Sequence, residues 1–112
     1  MKIVFTAEGV NWDSKMDPRF GRAKNFVVYN EETDELSVLD NSEVENEAHG
    51  AGPKAASKMA ELKVNVLITG NGPGGNAAKV LEKLGTECYI GAGDMTIKEA
   101  YDNYKKGALN KF

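Results

Sequence analysis

The chain has very few of the side chains that lock a fold covalently or hold a metal. It contains one cysteine, Cys88, and one histidine, His49. A single cysteine excludes an internal disulfide, so we expect a reducing, cytoplasmic environment. It also excludes an iron–sulfur cluster held on four thiolates of the chain itself. The sequence therefore cannot build a closed thiolate site.

An excess of positive charge and long apolar runs are missing as well. The net charge is −3 and the pI is about 5.2, so the sequence lacks the basic field that grips nucleic acid or an anionic membrane. No apolar stretch is long enough to span a bilayer. What remains is ordinary: 41% hydrophobic and 28% charged residues in 112 positions. This composition and length predict one globular domain over residues 1–112.

The periodicity of apolar residues predicts the element order β-β-β-α-β-α-β-α. Short β-rich or continuous apolar runs predict five strands, at 3–6, 26–29, 36–39, 64–69 and 88–90. Helical spacing of apolar residues follows at 55–62, 77–84 and 97–104. The first three strands can form an antiparallel meander, whereas the later βαβ crossovers require parallel, right-handed pairing. We therefore predict the α/β class, with a mixed five-stranded sheet and helices on its faces.

Local signals place the helix ends. Pro53 suits the first turn of a helix, because its missing N–H would be unpaired there anyway. Thr96 and Glu99 fit a capping box at the start of the third helix. Gly85 and Gly107 follow the last apolar residues of their helices and predict the C-terminal ends.

Four segments are predicted to meet at one edge of the sheet. Residues 7–21, 70–76 and 91–94 leave the carboxyl ends of strands that should run parallel, and residues 49–53 precede the first helix. Ligands collect outside such strand ends in open α/β sheets. Glycines let the backbone approach a ligand closely, and helix N-termini offer N–H groups to anions. The backbone positions we single out as contacts are Gly50, Gly72, Gly74, Gly75 and Asn76.

The glycine-rich segment 70–76 has a second interpretation. Glycine-rich turns between a strand and a helix often serve only a tight connection. The segment lacks the Gly-Lys-Ser/Thr ending of a P-loop, and it matches the dinucleotide fingerprint only as a pattern, without an acidic residue about 20 positions later. Nucleotide binding is therefore disfavoured. Contact with an anion or a cluster and a purely structural role both remain open.

Two kinds of charged or coordinating side chain lie near these segments. Arg19, Arg22 and Lys24 form either a clamp for an anionic ligand or ordinary surface charge paired with the acidic turn at 31–35. His49 is either a hydrogen-bonded surface residue or a ligand to one metal of a preassembled cluster. The acids at 43, 45 and 47 are interpreted as solvated.

Several apolar residues of the same region are interpreted as packing. Trp12 and Met16 in the first long loop, and Phe20 beside the basic group, are expected to fill the core or cover it. Cys88 stands inside a short strand and is expected to be a small buried hydrophobic residue.

The chain resembles the nitrogenase iron-molybdenum cofactor biosynthesis family of accessory proteins over almost its whole length. The motifs are Phe20-Gly21-Arg22-Ala23 followed by a strand, then 49–52 (His-Gly-Ala-Gly), then 72–77 (Gly-Pro-Gly-Gly-Asn-Ala). The resemblance implies a ribonuclease H-like fold and binding of an iron–sulfur or molybdenum-containing cluster. It also implies transfer of the cluster from a donor protein to an acceptor protein. His49 matches a histidine implicated as a cluster ligand, whereas Arg19 stands where many relatives have a second histidine.

Enzymatic function is not expected. A ribonuclease H-like nuclease needs carboxylates for two metals, but strand one has no acid and none ends strand four at Thr69-Gly70. No Ser/His/Asp or Cys/His set has a supporting context. Two hypotheses remain: a non-catalytic carrier of a metal–sulfur cluster, and a small-anion-sensing or protein-interaction module that uses the same edge.

Overall fold

The structure is a computed structural model that describes residues 1–40, 51–73 and 75–112; for residues 40, 51–56, 75 and 76 the description covers the backbone alone. Within these ranges the chain forms six strands and three helices. In chain order they are β1 (Lys2–Ala7), β2 (Asn25–Asn30), β3 (Glu35–Asp40), α1 (Ala51–Leu62), β4 (Val66–Ile68), α2 (Gly75–Leu84), β5 (Glu87–Ile90), α3 (Ile97–Lys105) and β6 (Asn110–Lys111).

All six strands belong to one mixed sheet with the order β3-β2-β1-β4-β5-β6. β2 pairs antiparallel with β1 and with β3, as the predicted meander requires. β1 pairs parallel with β4, and β4 pairs parallel with β5. The carboxyl ends of β1, β4 and β5 therefore lie at the same edge of the sheet, which is the edge that the sequence indicated.

Helices cover the sheet on both faces, and its central strands β1 and β4 are buried along most of their length. Alternate residues of a strand point to opposite faces, so these strands contribute to two cores. One core contains Val4, Phe26, Val28 and Leu67 together with residues of α1 and α2, namely Met59, Ala77 and Leu81. The other contains Ile3, Phe5, Val27 and Ile68 together with Ile97 and Ala100 of α3. The predicted α/β class is confirmed.

The predicted number of strands was wrong. The sequence indicated five, whereas the sheet has a sixth, β6, which pairs antiparallel with the edge strand β5. Its two residues, Asn110 and Lys111, are both exposed and polar. Two exposed polar residues show no alternation of apolar and polar side chains, so the sequence carries no strand signal here. They form a strand only because they are hydrogen-bonded to β5. The fourth strand is also shorter than the predicted run, at Val66–Ile68.

The predicted helix ends are confirmed. Thr96 caps α3, its hydroxyl accepting from the Glu99 N–H while the Glu99 carboxylate accepts from the Thr96 N–H. Gly85 and Gly107 follow α2 and α3 with φ of +75° and +74°, a conformation in which glycine has no steric penalty. Pro53 lies in the first turn of α1. Over the described ranges no helix has the length and apolarity needed to cross a bilayer.

Candidate functional site

Three loops converge at the edge where β1, β4 and β5 end. We call them the rim loops: residues 8–24 after β1, residues 69–73 after β4 and residues 91–95 after β5. The Asn71 N–H donates to the Pro18 carbonyl at 2.7 Å, and the Gly91 N–H donates to the Gly70 carbonyl at 3.0 Å. The Met16 N–H donates to the carbonyl of Met95 at 2.9 Å. The predicted convergence of these three segments is therefore observed.

Glycine allows the rim loops to pack this closely. A Cβ atom on Gly70 would lie 2.7 Å from the Cα of Pro18 and 2.8 Å from the Cα of Gly93. Backbone atoms cannot yield at such distances without moving a loop. At Gly72, a Cβ atom would collide with the ring of Phe112. Gly70 thus has a packing role, whereas the clash at Gly72 involves the ring of an exposed side chain, Phe112, which can move aside.

Two threonine hydroxyls join the rim loops to the sheet beneath them. The Thr6 hydroxyl lies 2.7 Å from the Asp17 carbonyl oxygen and 2.8 Å from the Thr69 hydroxyl. Since a hydroxyl has one proton, Thr6 donates to the carbonyl and accepts from Thr69. Both side chains are fully buried. The Asp17 N–H returns a bond to the Thr6 carbonyl at 2.8 Å, so residues 16–18 are fixed against β1 and β4.

Asp17 organises the residues that follow it, 18–24, which carry Arg19, Arg22 and Lys24 and which we call the basic turn. Its side chain is 2% exposed. One carboxylate oxygen accepts from the N–H and the Nε of Arg19, both at 3.0 Å. The other oxygen accepts from Nη2 of Arg19 at 2.9 Å and from the Lys24 N–H at 3.3 Å. Burial alone would raise the pKa of this carboxyl, but the hydrogen bonds and the Arg19 charge outweigh burial and lower the pKa below its usual value. Asp17 is therefore a buried carboxylate anion.

The basic residues of the sequence prediction lie on the first rim loop. The ion pair described for Arg19 is with Asp17 and not with the acidic turn at 31–35, where Glu31 instead pairs with Lys105 at 3.0 Å. The guanidinium side chain of Arg19 is 45% exposed. Arg22 is partly buried in the turn after Phe20. The sequence missed Asp17 as the centre of this turn; its only signal was the polar Asp-Pro pair inside the long loop.

Other predicted site residues fall in three groups. His49, Gly50 and Gly74 lie outside the described residues, as do the acids at 43, 45 and 47. Gly75 and Asn76 form the first turn of α2, immediately after the glycine-containing rim loop. Gly72 lies on that loop. The structure thus places Arg19, Arg22, Gly72 and the start of α2 on segments that leave the same edge of the sheet.

The predicted packing residues are confirmed. Met16 and Phe20 are 1% and 4% exposed, and each belongs to one of the two cores. Trp12 packs partly buried against Tyr29 and Tyr101. Cys88 is buried, and burial raises the pKa of its thiol to about 12. Its side chain is therefore a neutral thiol at physiological pH, as expected for a small hydrophobic residue.

The described residues offer guanidinium groups on the first rim loop and backbone N–H groups in the first turn of α2, beside exposed carboxylates such as that of Asp94. Among the side chains that the structure describes, no group of three His, Cys, Asp or Glu could hold a metal ion. The described side chains therefore do not provide a set of ligands for a bare metal ion. An anion, or a cluster that brings its own ligands, is suited to N–H groups and arginine.

The chain belongs to the dinitrogenase iron-molybdenum cofactor family, whose sequence profile matches residues 1–107. The family associates the chain with the biosynthesis of that cofactor. This confirms the resemblance seen in the Phe-Gly-Arg-Ala and glycine motifs.

Individual relatives are similar along more than nine tenths of their length. An uncharacterized protein of Methanocaldococcus jannaschii is 31% identical over 116 residues, which cover all of this chain and 92% of that protein. The apo form of the orange protein from Desulfovibrio gigas superposes with a TM-score of 0.92 at 33% identity, covering 99% of this chain and 92% of that one. A putative NifB protein from Thermotoga superposes with a TM-score of 0.83 at 31% identity, covering 98% and 91%.

Proposed function

We propose that the protein is a non-catalytic cytoplasmic carrier. It binds a metal–sulfur cluster of the iron-molybdenum cofactor type, or a precursor of one, and transfers it from a donor protein to an acceptor protein. The observation that supports this most directly is the convergence of three rim loops at the carboxyl ends of β1, β4 and β5 in a member of this family. The cluster is cargo and not a resident cofactor.

The proposed contacts follow from the chemistry of such a cargo. A metal–sulfur cluster brings sulfide ligands and negative charge, so it needs hydrogen-bond donors and cations more than a full set of protein ligands. Arg19 and Arg22 supply the cations on the first rim loop. Gly72, Gly74, Gly75 and Asn76 supply backbone N–H groups where α2 begins, and the N-terminus of a helix favours anions. His49, beside Gly50, supplies one imidazole to a metal of the cluster.

The contact with Asp17 gives Arg19 a structural role in the basic turn. Its carboxylate fixes the orientation of the Arg19 side chain and offsets its positive charge. We therefore assign Arg19 mainly to the shape of the basic turn. Arg22, on the same loop, is assigned to the attraction for an anionic cluster.

The absence of catalysis is part of the proposal. A nuclease of ribonuclease H type needs an acid on its first strand, but β1 carries none. Asp17 cannot act as a base, because four donors hold its carboxylate. Among the first five strands, in the order β3-β2-β1-β4-β5, only β2 runs antiparallel to the others, and this arrangement supports a ribonuclease H-like fold without this chemistry.

The test is anaerobic incubation with tetrathiomolybdate or a cluster donor, followed by desalting, absorbance spectroscopy and metal analysis. We expect coloured protein with stoichiometric metal. The His49→Ala variant should retain less metal while its melting temperature stays nearly unchanged. Lys79→Ala, an exposed position on α2, is the control and should retain metal like the wild type.

Two results would contradict the proposal. Colourless, metal-free protein after desalting would favour the alternative of an anion-sensing or protein-interaction module. A large loss of thermal stability in His49→Ala would assign the imidazole to packing or hydrogen bonding.

A further inference from the structure

Three aromatic side chains form a second concave surface, which the proposed carrier function does not use. Trp12, Tyr29 and Tyr101 lie on the face of the sheet that α3 covers. Their ring centroids are 5.0, 5.4 and 5.7 Å apart, and their planes meet at 71°, 80° and 58°. We call this arrangement the aromatic corner. Phe5 supports it from the core, edge-on to Trp12 and Tyr101 at 6.3 and 6.4 Å.

The aromatic corner takes Trp12 from the first rim loop but lies on the face of the sheet opposite to Phe20 and α2. Tyr29 pairs with Ile3, near the start of β1, whereas the rim loops leave the other end of that strand. Trp12 reaches the aromatic corner because its loop is fixed on α3: the Trp12 carbonyl accepts from the Lys98 N–H at 3.0 Å. A ligand at the aromatic corner would therefore contact neither the proposed arginines nor the start of α2.

An open cavity of about 420 Å³ borders the three rings. The rest of its lining is charged: three carboxylates, Asp13, Asp34 and Asp102, and one ammonium, Lys98. All four of these side chains are exposed. The excess of carboxylates makes the cavity unsuitable for an anion and favourable for a cation.

The hydroxyl groups of both tyrosines are already engaged. Tyr29 donates to Asp34 at 2.6 Å, and Tyr101 donates to Glu31 at 2.7 Å. The pKa of Tyr29 is raised, chiefly by that bond, and the pKa of Tyr101 is raised by burial and then by Glu31. Both phenols are therefore neutral, and what they offer a ligand is the electron-rich ring.

One of these rings already attracts a cation within the chain. The ammonium of Lys105 lies 5.7 Å from the centroid of Tyr101, which is inside the range of a cation–π contact. Lys105 does not line the cavity. The cavity is therefore bordered by rings that can attract a cation in the same way. Among the described residues, the one lysine that lines it is the exposed Lys98.

We propose that the aromatic corner binds a small organic cation with an alkylated ammonium group. Aromatic faces and carboxylates together attract such a cation. Metal ions and a bare ammonium hold their hydration shells more strongly, whereas an alkylated ammonium presents apolar methyl groups to the rings. The cavity volume accommodates a choline-sized molecule.

The test uses choline as the probe and Trp12 as the reporter. Trp12 is the only tryptophan of the 112 residues, so its fluorescence reports this site alone. We expect a saturable change with choline at millimolar concentrations and constant ionic strength. The neutral isostere 3,3-dimethyl-1-butanol has the same shape without the charge and should give no saturable change. An equal response to both compounds, or to neither, would overturn the proposal.

Variants test whether choline binds at the aromatic corner. Tyr101→Leu removes one ring, and we expect choline affinity to fall about two- to fivefold, the equivalent of one cation–π contact. Asp102→Asn, at an exposed position, should weaken binding about twofold at low salt. Glu82→Gln, an exposed site on α2, is the charge-matched control. Melting curves verify that each variant is folded, and unchanged affinity in both test variants would refute the assignment.

A last experiment distinguishes a free cation from a lipid headgroup that carries the same ammonium group. Vesicles of phosphatidylcholine present the same quaternary ammonium group at a membrane surface. Because the cavity is a pocket between rings and α3, we expect choline to bind and the protein not to sediment with the vesicles. Sedimentation with the vesicles, without a response to free choline, would overturn the proposal for a free ligand.

Discussion

Replacing Asp17 by asparagine tests the buried carboxylate that organises the basic turn. An amide is nearly isosteric with the carboxylate but has one acceptor oxygen where Asp17 has two. One oxygen receives two donors from Arg19, and the other receives Nη2 of Arg19 and the Lys24 N–H. The single amide oxygen of asparagine can accept from only one of these two pairs of N–H donors. Its NH₂ group must then face the other pair, and two donors cannot form a hydrogen bond with each other.

The expected loss follows from these contacts. A hydrogen bond to a charged group contributes about 1.5–3 kcal/mol, and two are lost. Because the Arg19 side chain is 45% exposed, water replaces part of what its guanidinium loses. We therefore expect the free energy of unfolding to fall by about 2 kcal/mol. For a domain near this size, that corresponds to a melting temperature lower by roughly 8–12 °C.

The pH dependence identifies the charge as the cause. The pKa of Asp17 is lowered in the folded protein, while the unfolded value is about 3.9. Its stabilisation is therefore complete above the unfolded pKa and is lost as the pH falls through the folded pKa. The difference between wild type and Asp17→Asn should be full at pH 7 and should shrink below about pH 4.

Urea denaturation at pH 7, 5 and 3, followed by circular dichroism, measures both effects. Asp94→Asn, an exposed carboxylate on the third rim loop, is the matched control, with an expected change within about 0.5 kcal/mol. If the wild type and Asp17→Asn differ as much at pH 3 as at pH 7, the carboxylate charge is not the source of the stabilisation, and the reasoning is refuted.

Three further predictions concern the rim and the core. Arg22→Ala should weaken tetrathiomolybdate binding, more at low than at high salt; calorimetry at two ionic strengths measures this, and salt-independent affinity would remove the charge contribution. Gly70→Ala should lower the free energy of unfolding by about 1–3 kcal/mol, since its Cβ meets the backbone of Pro18 and Gly93; an unchanged denaturation midpoint would show that the rim loops can separate freely. The Cys88 thiol, with its pKa raised to about 12, should react with a disulfide reagent at pH 8 only after denaturant is added; rapid reaction of the native protein would contradict its burial.

The sequence by itself determined the parts of the fold that short-range patterns encode. The helix period, the capping box of Thr96 and Glu99 and the glycines after α2 and α3 were all readable, because each depends on residues within a few positions of one another. The alternation of strands and helices in the second half indicated βαβ crossovers, and from these the parallel part of the sheet and the edge where ligands collect followed. The family was also readable from its motifs, which the profile match over residues 1–107 confirms.

Only the tertiary structure decided which residues meet at the rim. Thr6 bonds to Thr69 across 63 positions, and Gly70 is required because Pro18 and Gly93 approach it from two other loops. No local pattern encodes such contacts, since they arise when separate strands align at one edge. The strand β6 exists for the same reason: two polar residues become a strand only where an edge offers unpaired backbone groups. Arg19 meets Asp17, only two positions away, rather than the acidic turn, and the long-range part of this arrangement is the bond from the Thr6 hydroxyl that fixes the Asp17 backbone at the end of β1.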